Sequence, residues 1–541
     1  MKTNKLLAAI ILTSLVARLI IAWQPVPILD EKILLDDSLY GYATAKHLAE
    51  GNFLTYNGVD KTNGVQILWV LLITPVYMMT NDINLAINAI LSIQAVIDTI
   101  IVFLIYRLGK KIFDEKIGLL ASFIWAINPM IFFQTMSGID VTLYILFVLS
   151  SMLYYDRING KMNLRNVIPL GILLGMTFLS RGDGLFLFII IGVHMLYHNR
   201  KMRAASGISL RSLKSMFSKE MLLFIAVTGL TVAPWLVWNY STFGTLQQSS
   251  FLANYYMNRG IIPFYDLVPP TTLSENLSMT GESFLRAFGA IVNQMGVIEF
   301  FNISIGTVVL LPFLLLTLLA LIKKWKKMII PAVFSVMLLL FYGGYIWGIN
   351  IRYMTPLIPF LVILEAVGIV DVTKSKSRAI LFAMISVLVI TLVFNGMMKW
   401  ESGYLPWQGE IYKDAIWISQ NTPQDAIIAS FASGNIIYFS NRTVIGMDGV
   451  VDYKSIEVVL EKNVYSYWKE RNVTYWVENT YNNQTAIEQW KSGTFDVLKE
   501  NQWHSVFEPS SKLELISNRC KVYPHPRGFD MLICFYTVKV L

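Results

Sequence analysis

Charge is what this sequence has least of. Asp, Glu, Lys and Arg make up only 15% of its 541 residues, whereas a soluble globular chain carries about 25%. With 55% hydrophobic residues and a mean hydropathy of +0.53, the composition excludes an ordinary soluble protein. Histidine is equally scarce: there are 5, and His504 and His525 stand isolated, with no Cys/His spacing of the kind that holds zinc. Cysteine is limited to Cys520 and Cys534, both in the C-terminal tail, so the cysteine count carries no information about the rest. No internal repeat and no low-complexity tract is present. The formal net charge of +8 does not point to nucleic acid, because the Lys and Arg residues cluster in short loops between hydrophobic runs. There they orient a protein in a bilayer.

What is present in abundance is apolar sequence. Runs long enough to span a membrane recur through the first 400 or so residues. The clusters Lys2/Lys5, Arg107/Lys110/Lys111, Arg157/Lys161/Arg165, Arg200/Lys201/Arg203, Lys323/Lys324/Lys326/Lys327 and Lys374/Lys376/Arg378 are expected on the cytoplasmic side. Placing all of them inside gives eleven crossings: Leu6–Trp23, Ile83–Tyr106, Ile117–Gln134, Val141–Tyr155, Val167–Leu179, Leu185–Tyr197, Met221–Trp238, Ile303–Ile322, Met328–Trp347, Met354–Val370 and Ala379–Met398. Leu6–Trp23 lacks a small-residue cleavage site and reads as a retained helix. Val65–Met79 is apolar but short, and counting it would put Arg107–Lys111 outside. It is therefore expected to lie in the outer interface, in a first outer loop running from Gln24 to Asp82 with two interfacial helices. The fold expected is a polytopic α-helical membrane domain over 1–398, with a C-terminal extracytoplasmic α/β domain over 399–541. In that tail Ala426–Phe431, Val444–Met447, Val473–Val477 and Cys534–Val540 read as strand-like patches, and Trp400 and Trp407 suit the membrane interface.

The unusual polar residues fall on one side of this topology. Asp36, Asp37, Asp140, Arg181, Asp183 and Arg352 all sit at outer helix ends or in outer loops. Opposite charges converging at one face suit an anionic lipid headgroup, not a transport site at the bilayer midplane. Asp37 is expected to cap the helix beginning at Ser38. That leaves Asp36 free to act as a general base toward an acceptor hydroxyl. In Ser180-Arg181-Gly182-Asp183-Gly184 two readings stand side by side: a glycine turn with a surface ion pair, or a guanidinium fork for phosphate. Arg352, next to Tyr353 in a short loop, reads first as a snorkelling cation, and Asp140 as the cap of the next helix. Arg18 and Asp98 are intramembrane charges at similar depth, expected to pair with each other; a proton relay is the other reading. Asp448-Gly449 reads as a turn. Cys520 and Cys534 flank a turn-rich stretch and are a candidate disulfide for an outer compartment. Asn276, Asn441, Asn472 and Asn483 open Asn-X-Ser/Thr triplets, weak support for an outside location.

The ordered set of motifs resembles the GT-C superfamily of membrane glycosyltransferases. The resemblance is carried by Asp36-Asp37-Ser38-Leu39-Tyr40, Ala45-Lys46-His47-Leu48-Ala49-Glu50-Gly51, Tyr56-Asn57-Gly58 and Leu68-Trp69. It continues through Ser137-Gly138-Ile139-Asp140, Arg181-Gly182-Asp183-Gly184, Pro234-Trp235 with Asn239 and Phe243-Gly244, and Arg352-Tyr353 before Pro356 and Pro359. The tail is similar to the outer domain of some members through Tyr438-Phe439-Ser440-Asn441-Arg442 and Asp448-Gly449. The sequence departs from the family at Asn63-Gly64-Val65-Gln66, where members often have Gly-Tyr-Thr, and at Gly182, where they often have Pro.

The resemblance implies an inverting transfer of a sugar from a polyprenyl-phosphate donor to an acceptor hydroxyl at the outer face, the acceptor being a glycan, a lipid or a protein. It maps the catalytic base onto Asp36, beside Asp37. Arg181 and Arg352 are expected to bind the donor phosphate, with Asp140, Asp183 and Tyr353 as further substrate-binding residues. No cofactor is required for such a displacement, though a divalent metal is compatible with it, and no metal ligands are assigned. The expected location is the plasma membrane, with the N-terminus cytoplasmic. Two other classes remain as alternatives: a transporter or flippase of lipid-linked sugars, which needs opposed repeats and a polar midplane path, and a non-catalytic glycan-binding scaffold.

Overall fold

A computed structural model describes residues 2–158, 163–205, 218–262, 272–294, 305–347, 351–374, 378–403, 408–431, 433–482, 484–494, 513–524 and 530–540. Lys161, Lys376, Trp407, Asn483, His504 and His525 lie outside the described residues.

Apolar runs become helices here because backbone polar groups in hydrocarbon must be satisfied within the segment. The first half contains α1 (Lys2–Ala22), α2 (Val26–Lys32), α3 (Asp36–Ala49), α4 (Ile67–Met79), α5 (Ile83–Ile112), α6 (Glu115–Ile127), α7 (Pro129–Thr135), α8 (Val141–Arg157), α9 (Leu164–Ser180) and α10 (Leu185–Ala205). The second half of the membrane part contains α11 (Lys219–Phe243), α12 (Ser249–Asn258), α13 (Leu273–Gln294), α14 (Ile305–Lys324), α15 (Ile329–Leu339), α16 (Ile351–Met354), α17 (Ile358–Thr373) and α18 (Arg378–Ser402). A π-helical turn, Leu340–Ile346, extends α15.

Six helical stretches among the described residues are long and apolar enough to cross a membrane: Thr3–Ala22, Ile83–Ile112, Lys219–Phe243, Leu310–Ile346, Ile351–Thr373 and Ala379–Glu401. The pair α6 and α7, expected as one crossing over Ile117–Gln134, is bent by 69° where Asn128 caps α7 ahead of Pro129. Counted as one span it makes seven. The stretch Leu310–Ile346 takes in two of the expected crossings, Ile303–Ile322 and Met328–Trp347, and the remaining expected crossings are α8, α9 and the apolar part of α10. α8 and α9 have 17 residues each, about 25 Å of helix against a hydrocarbon core of about 30 Å. The count of eleven is thus not reproduced by length and apolarity. Lys323–Lys327 falls at the 3-10 turn Trp325–Met328 between α14 and α15. The chain is an integral membrane protein. Within the bundle Arg18 and Asp98 form a fully buried ion pair; Trp125 donates from Nε1 to Asp98 at 3.0 Å, and Arg18 also donates to the Ala126 carbonyl at 3.3 Å.

The tail opens with α19 (Gln408–Asn421) and contains the short α20 (Gly434–Phe439). Its five strands, β1 (Ile427–Ser430), β2 (Thr443–Gly446), β3 (Tyr475–Asn482), β4 (Leu513–Pro524) and β5 (Asp530–Val540), form one mixed sheet in the order β2-β1-β3-β5-β4. β1 pairs in parallel with β2 and β3, and α20 is the crossover between β1 and β2. β4 and β5 form an antiparallel ladder that sets Cys520 opposite Cys534. Cys520 is disulfide-bonded, and Cys534 is the only other cysteine in the sequence.

Candidate active site

The site begins where α3 starts. Leu35, in extended conformation, precedes the helix, and no side chain caps it. Asp36 and Asp37 both occupy the first turn, where the exposed N–H groups and the helix dipole favour negative charge. The expectation that Asp37 caps α3 is corrected: its carboxylate instead forms an ion pair with Arg352, 315 positions further on. A guanidinium in reach outcompetes a local cap, because a charge-assisted bond is stronger than a neutral one. Asp36 does cap a helix, but a distant one. It accepts hydrogen bonds from the Gly434 and Asn435 backbone N–H groups at 3.2 and 2.6 Å, at the start of α20, and from Asn435 Nδ2 at 3.0 Å.

The segment Ser137–Asp140 is fitted against α3. Leu35 donates its N–H to the Ser137 carbonyl at 3.1 Å. Gly138 has φ +87°, and a Cβ there would meet the Ser38 and Tyr42 oxygens at 2.8 Å, so glycine is needed on both counts. Gln94 clamps this turn, accepting the Gly138 N–H at 3.0 Å and donating to the Ile139 carbonyl at 2.6 Å. Asp140 occupies the N-cap position of α8 without capping it through its side chain. Here too the expectation of a cap is corrected, because the carboxylate accepts from Arg181 Nη1 at 3.2 Å.

Arg181 leaves α9 in extended conformation and is 8% exposed. Besides Asp140 it donates to the Tyr342 hydroxyl at 3.1 Å. Its Nε lies 3.5 Å from Asp183 and has no hydrogen-bond partner. Tyr342, from the π turn, donates to Asp183 at 2.7 Å and stacks on Tyr353 with ring centroids 4.5 Å apart. Arg181 and Arg352 both lie over the Tyr353 ring, 5.3 and 5.2 Å from its centroid. Arg352 is thus neither a lone snorkelling cation nor a surface group; it is held by Asp37 and by cation–π contact. The structure brings Asp36, Asp37, Asp140, Arg181, Asp183, Arg352 and Tyr353 into one connected cluster.

The tail supplies residues that sequence reasoning passed over. Tyr40, in α3, donates to Asp448 at 2.5 Å and lies 3.0 Å from the Ser433 hydroxyl. Asp448, expected only as a turn residue, is buried and also accepts the Val450 N–H at 2.9 Å. The first loop holds the tail in place: Asn57 donates to the Val444 carbonyl at 2.9 Å and Asp60 pairs with Arg471 at 2.7 Å. The one sequence signal for Asp448 was its likeness to the family's tail; Asn435 and Tyr342 had none.

Burial dominates the electrostatics. It pushes the Asp36 carboxyl up to about 6, aided by the charge of Asp37 and opposed by the hydrogen bonds from Asn435 and Gly434. It pushes Asp448 up to about 7. Asp140 is also raised by burial, against the pull of Arg181 and Arg352. Asp36 retains partly exposed surface, so a carboxylate of raised basicity stands next to Asp37, which pairs with Arg352, while Arg181 pairs with Asp140. Such a set can take a proton at one end and hold an oxyanion at the other. Among the described residues no group of three or more His, Cys, Asp and Glu is placed to hold a metal ion.

Comparison with known proteins gives the fold. Residues 72–238 match the family of dolichyl-phosphate-mannose-protein mannosyltransferases, and residues 401–523 match a domain family of unknown function. No curated protein is significantly similar to the chain. Crystal structures of ArnT from Cupriavidus metallidurans superpose over nearly the whole length. The apo form has TM-score 0.57 and 9% identity over 99% of this chain and 98% of that one. The form bound to undecaprenyl phosphate has TM-score 0.56 and 11% identity, with 96% and 97% covered. The oligosaccharyltransferase of Archaeoglobus fulgidus, tethered to an acceptor peptide, has TM-score 0.52 and 12% identity over 98% of this chain and 73% of that one. The chain has the fold of the GT-C membrane glycosyltransferases.

Proposed function

We propose that the protein transfers a sugar from a polyprenyl-phosphate donor to an acceptor hydroxyl at the outer face of the membrane, with inversion at the anomeric carbon. The observation that carries this reading is the convergence of Asp36, the Asp37–Arg352 pair and Arg181, from widely separated parts of the chain, in one polar cluster of a GT-C fold. The fold likeness supports it: the C. metallidurans ArnT structure holds undecaprenyl phosphate.

In the proposed step the acceptor oxygen forms a bond to the anomeric carbon as the bond from that carbon to the phosphate oxygen breaks. Asp36 takes the hydroxyl proton; a carboxyl raised to about 6 is ionised near neutral pH yet more basic than an exposed one. The polyprenyl phosphate leaves with its charge compensated by the guanidinium groups of Arg352 and Arg181. A phosphate is a good leaving group, so the step as written calls for no metal. Asp140 and Asp183 orient Arg181, and Tyr353 supports both guanidinium groups. The tail closes over Asp36 and faces the acceptor. The N-terminus is cytoplasmic, the tail extracytoplasmic, and the membrane the plasma membrane.

The test is purified protein in liposomes with radiolabelled polyprenyl-phosphate sugar and a panel of glycan, lipid and peptide acceptors. The reading predicts label on an acceptor and release of unsubstituted polyprenyl phosphate. Movement of intact donor across the bilayer with no bond broken would instead identify a transporter.

A further inference from the structure

The surface of α13 divides into three faces. A capping box opens the helix: Glu275 accepts the Thr272 N–H at 3.1 Å, and Thr272 Oγ1 accepts the Glu275 N–H at 3.2 Å. At about 100° per residue, Ser283, Ala287 and Ala290 share one arc and are buried. Glu275, Ser278, Glu282 and Arg286 share a second arc and are exposed, with Glu282 and Arg286 paired across one turn. Leu273, Leu277, Leu285 and Phe288 share a third, together with Ser274 and Gly281. These four apolar side chains are 76%, 65%, 72% and 42% exposed.

The packing of α13 fixes its level. It lies against the π turn Leu340–Ile346 and against α16, so closely that a Cβ on Gly343 would meet the Phe284 ring at 2.8 Å. The membrane-spanning stretch Leu310–Ile346 ends with that turn, and the stretch Ile351–Thr373 begins with α16. α13 therefore sits where two spans reach the boundary of the bilayer. The span it packs on itself exposes Val336 and Leu340. Glu275, Glu282 and Arg286 make α13 too polar to cross hydrocarbon. A helix at this level, with an apolar edge beside a charged edge, suits the plane of the interface.

We propose that α13 is seated in lipid. Leu273, Leu277, Leu285 and Phe288 insert among the acyl chains of the leaflet on the side of the candidate site, and Glu275, Glu282 and Arg286 stay at headgroup level. The partner of this apolar stripe is the bilayer, because the stripe begins where the spans end and a charged strip borders it. α16 carries Arg352 and Tyr353, and the π turn carries Tyr342. Lipid contact at α13 thus reaches the polar cluster through one layer of packing. The inference goes beyond the proposed transfer reaction and does not depend on it.

The test is nitroxide labelling of Leu277→Cys, Leu285→Cys, Ser278→Cys and Glu282→Cys in the full chain, in vesicles of phosphatidylcholine and phosphatidylglycerol. Cys520 is disulfide-bonded and Cys534 is the only other native cysteine, so the label goes to the introduced thiol. Collisional relaxation by oxygen, which concentrates in hydrocarbon, is compared with that by a water-soluble nickel chelate. At positions 277 and 285 oxygen is expected to exceed the chelate severalfold, and at positions 278 and 282 the order is expected to reverse. The proposal is overturned if the chelate dominates at 277 and 285, which would put the stripe in water. It is equally overturned if both reagents are excluded there, which would put a protein surface, such as a second copy of this chain, over it. All four positions are exposed and each face has two, so one variant lost to misfolding leaves its neighbour to decide.

Discussion

The Asp36 carboxylate accepts the Asn435 backbone N–H at 2.6 Å, a bond that closes 399 positions of sequence. It joins the start of α3 in the membrane part to the start of α20 in the tail. The tail therefore builds the site around the proposed base, and is more than an appendage beside it.

That junction is tight at Gly434, where a Cβ would lie 2.3 Å from the Asp36 carbonyl oxygen and 2.7 Å from its Cγ. Gly434→Ala is expected to push α20 off Asp36, cutting transfer and lowering stability by about 1–3 kcal/mol, the usual range for overpacking. Thermal unfolding in detergent, beside a transfer assay, measures both.

Asp37 and Arg352 support each other. Arg352→Ala removes a proposed phosphate ligand and leaves Asp37 unpaired, so kcat/KM for the donor is expected to fall about 10- to 100-fold. Arg352→Lys should recover part of that loss, since a single ammonium pairs with Asp37 without the planar fork. Steady-state kinetics with varied donor distinguishes the variants.

The pH dependence has a definite sign. Asp36 must be ionised to accept a proton, and its carboxyl titrates at about 6. Transfer should therefore fall off as pH drops through about 6, a higher limb than an ordinary aspartate gives. Stability runs the other way. Asp36 and Asp448 have folded values raised to about 6 and about 7. Their contribution to stability is fully present below the unfolded value of about 3.9 and is lost as pH rises through those folded values. The protein should melt higher at pH 5 than at pH 8, and Asp448→Asn should narrow the gap by removing a buried charge. Melting curves of the two proteins at both pH values check this.

Much of this was legible in the sequence, for a simple reason. The bilayer forces apolar runs into helices, so Leu6–Trp23 and Ala379–Met398 declare themselves, and polar residues such as Asp140 and Arg181 at the ends of other apolar runs stand out. The 17-residue helices α8 and α9 were harder, because a helix of that length can sit inside the protein without spanning hydrocarbon by itself. Asp37 and Asp140 were misread as caps because capping is a local rule. Each has a long-range guanidinium partner, Arg352 and Arg181, that no local window contains. Asn435 and Asp448 were opaque for the same reason: Ser433-Gly434-Asn435 and Asp448-Gly449 look like ordinary turns until the fold sets them against α3. β4 was not anticipated, since Arg519 and Lys521 interrupt its apolar character.

The most direct test of the account is Asp36→Asn, assayed for sugar transfer from radiolabelled polyprenyl-phosphate donor and, on the same preparation, for donor binding. The account predicts that transfer is lost while donor binding stays at the wild-type level, because the amide keeps the shape of the carboxyl and loses only its ability to take a proton. Full transfer by Asp36→Asn would contradict it.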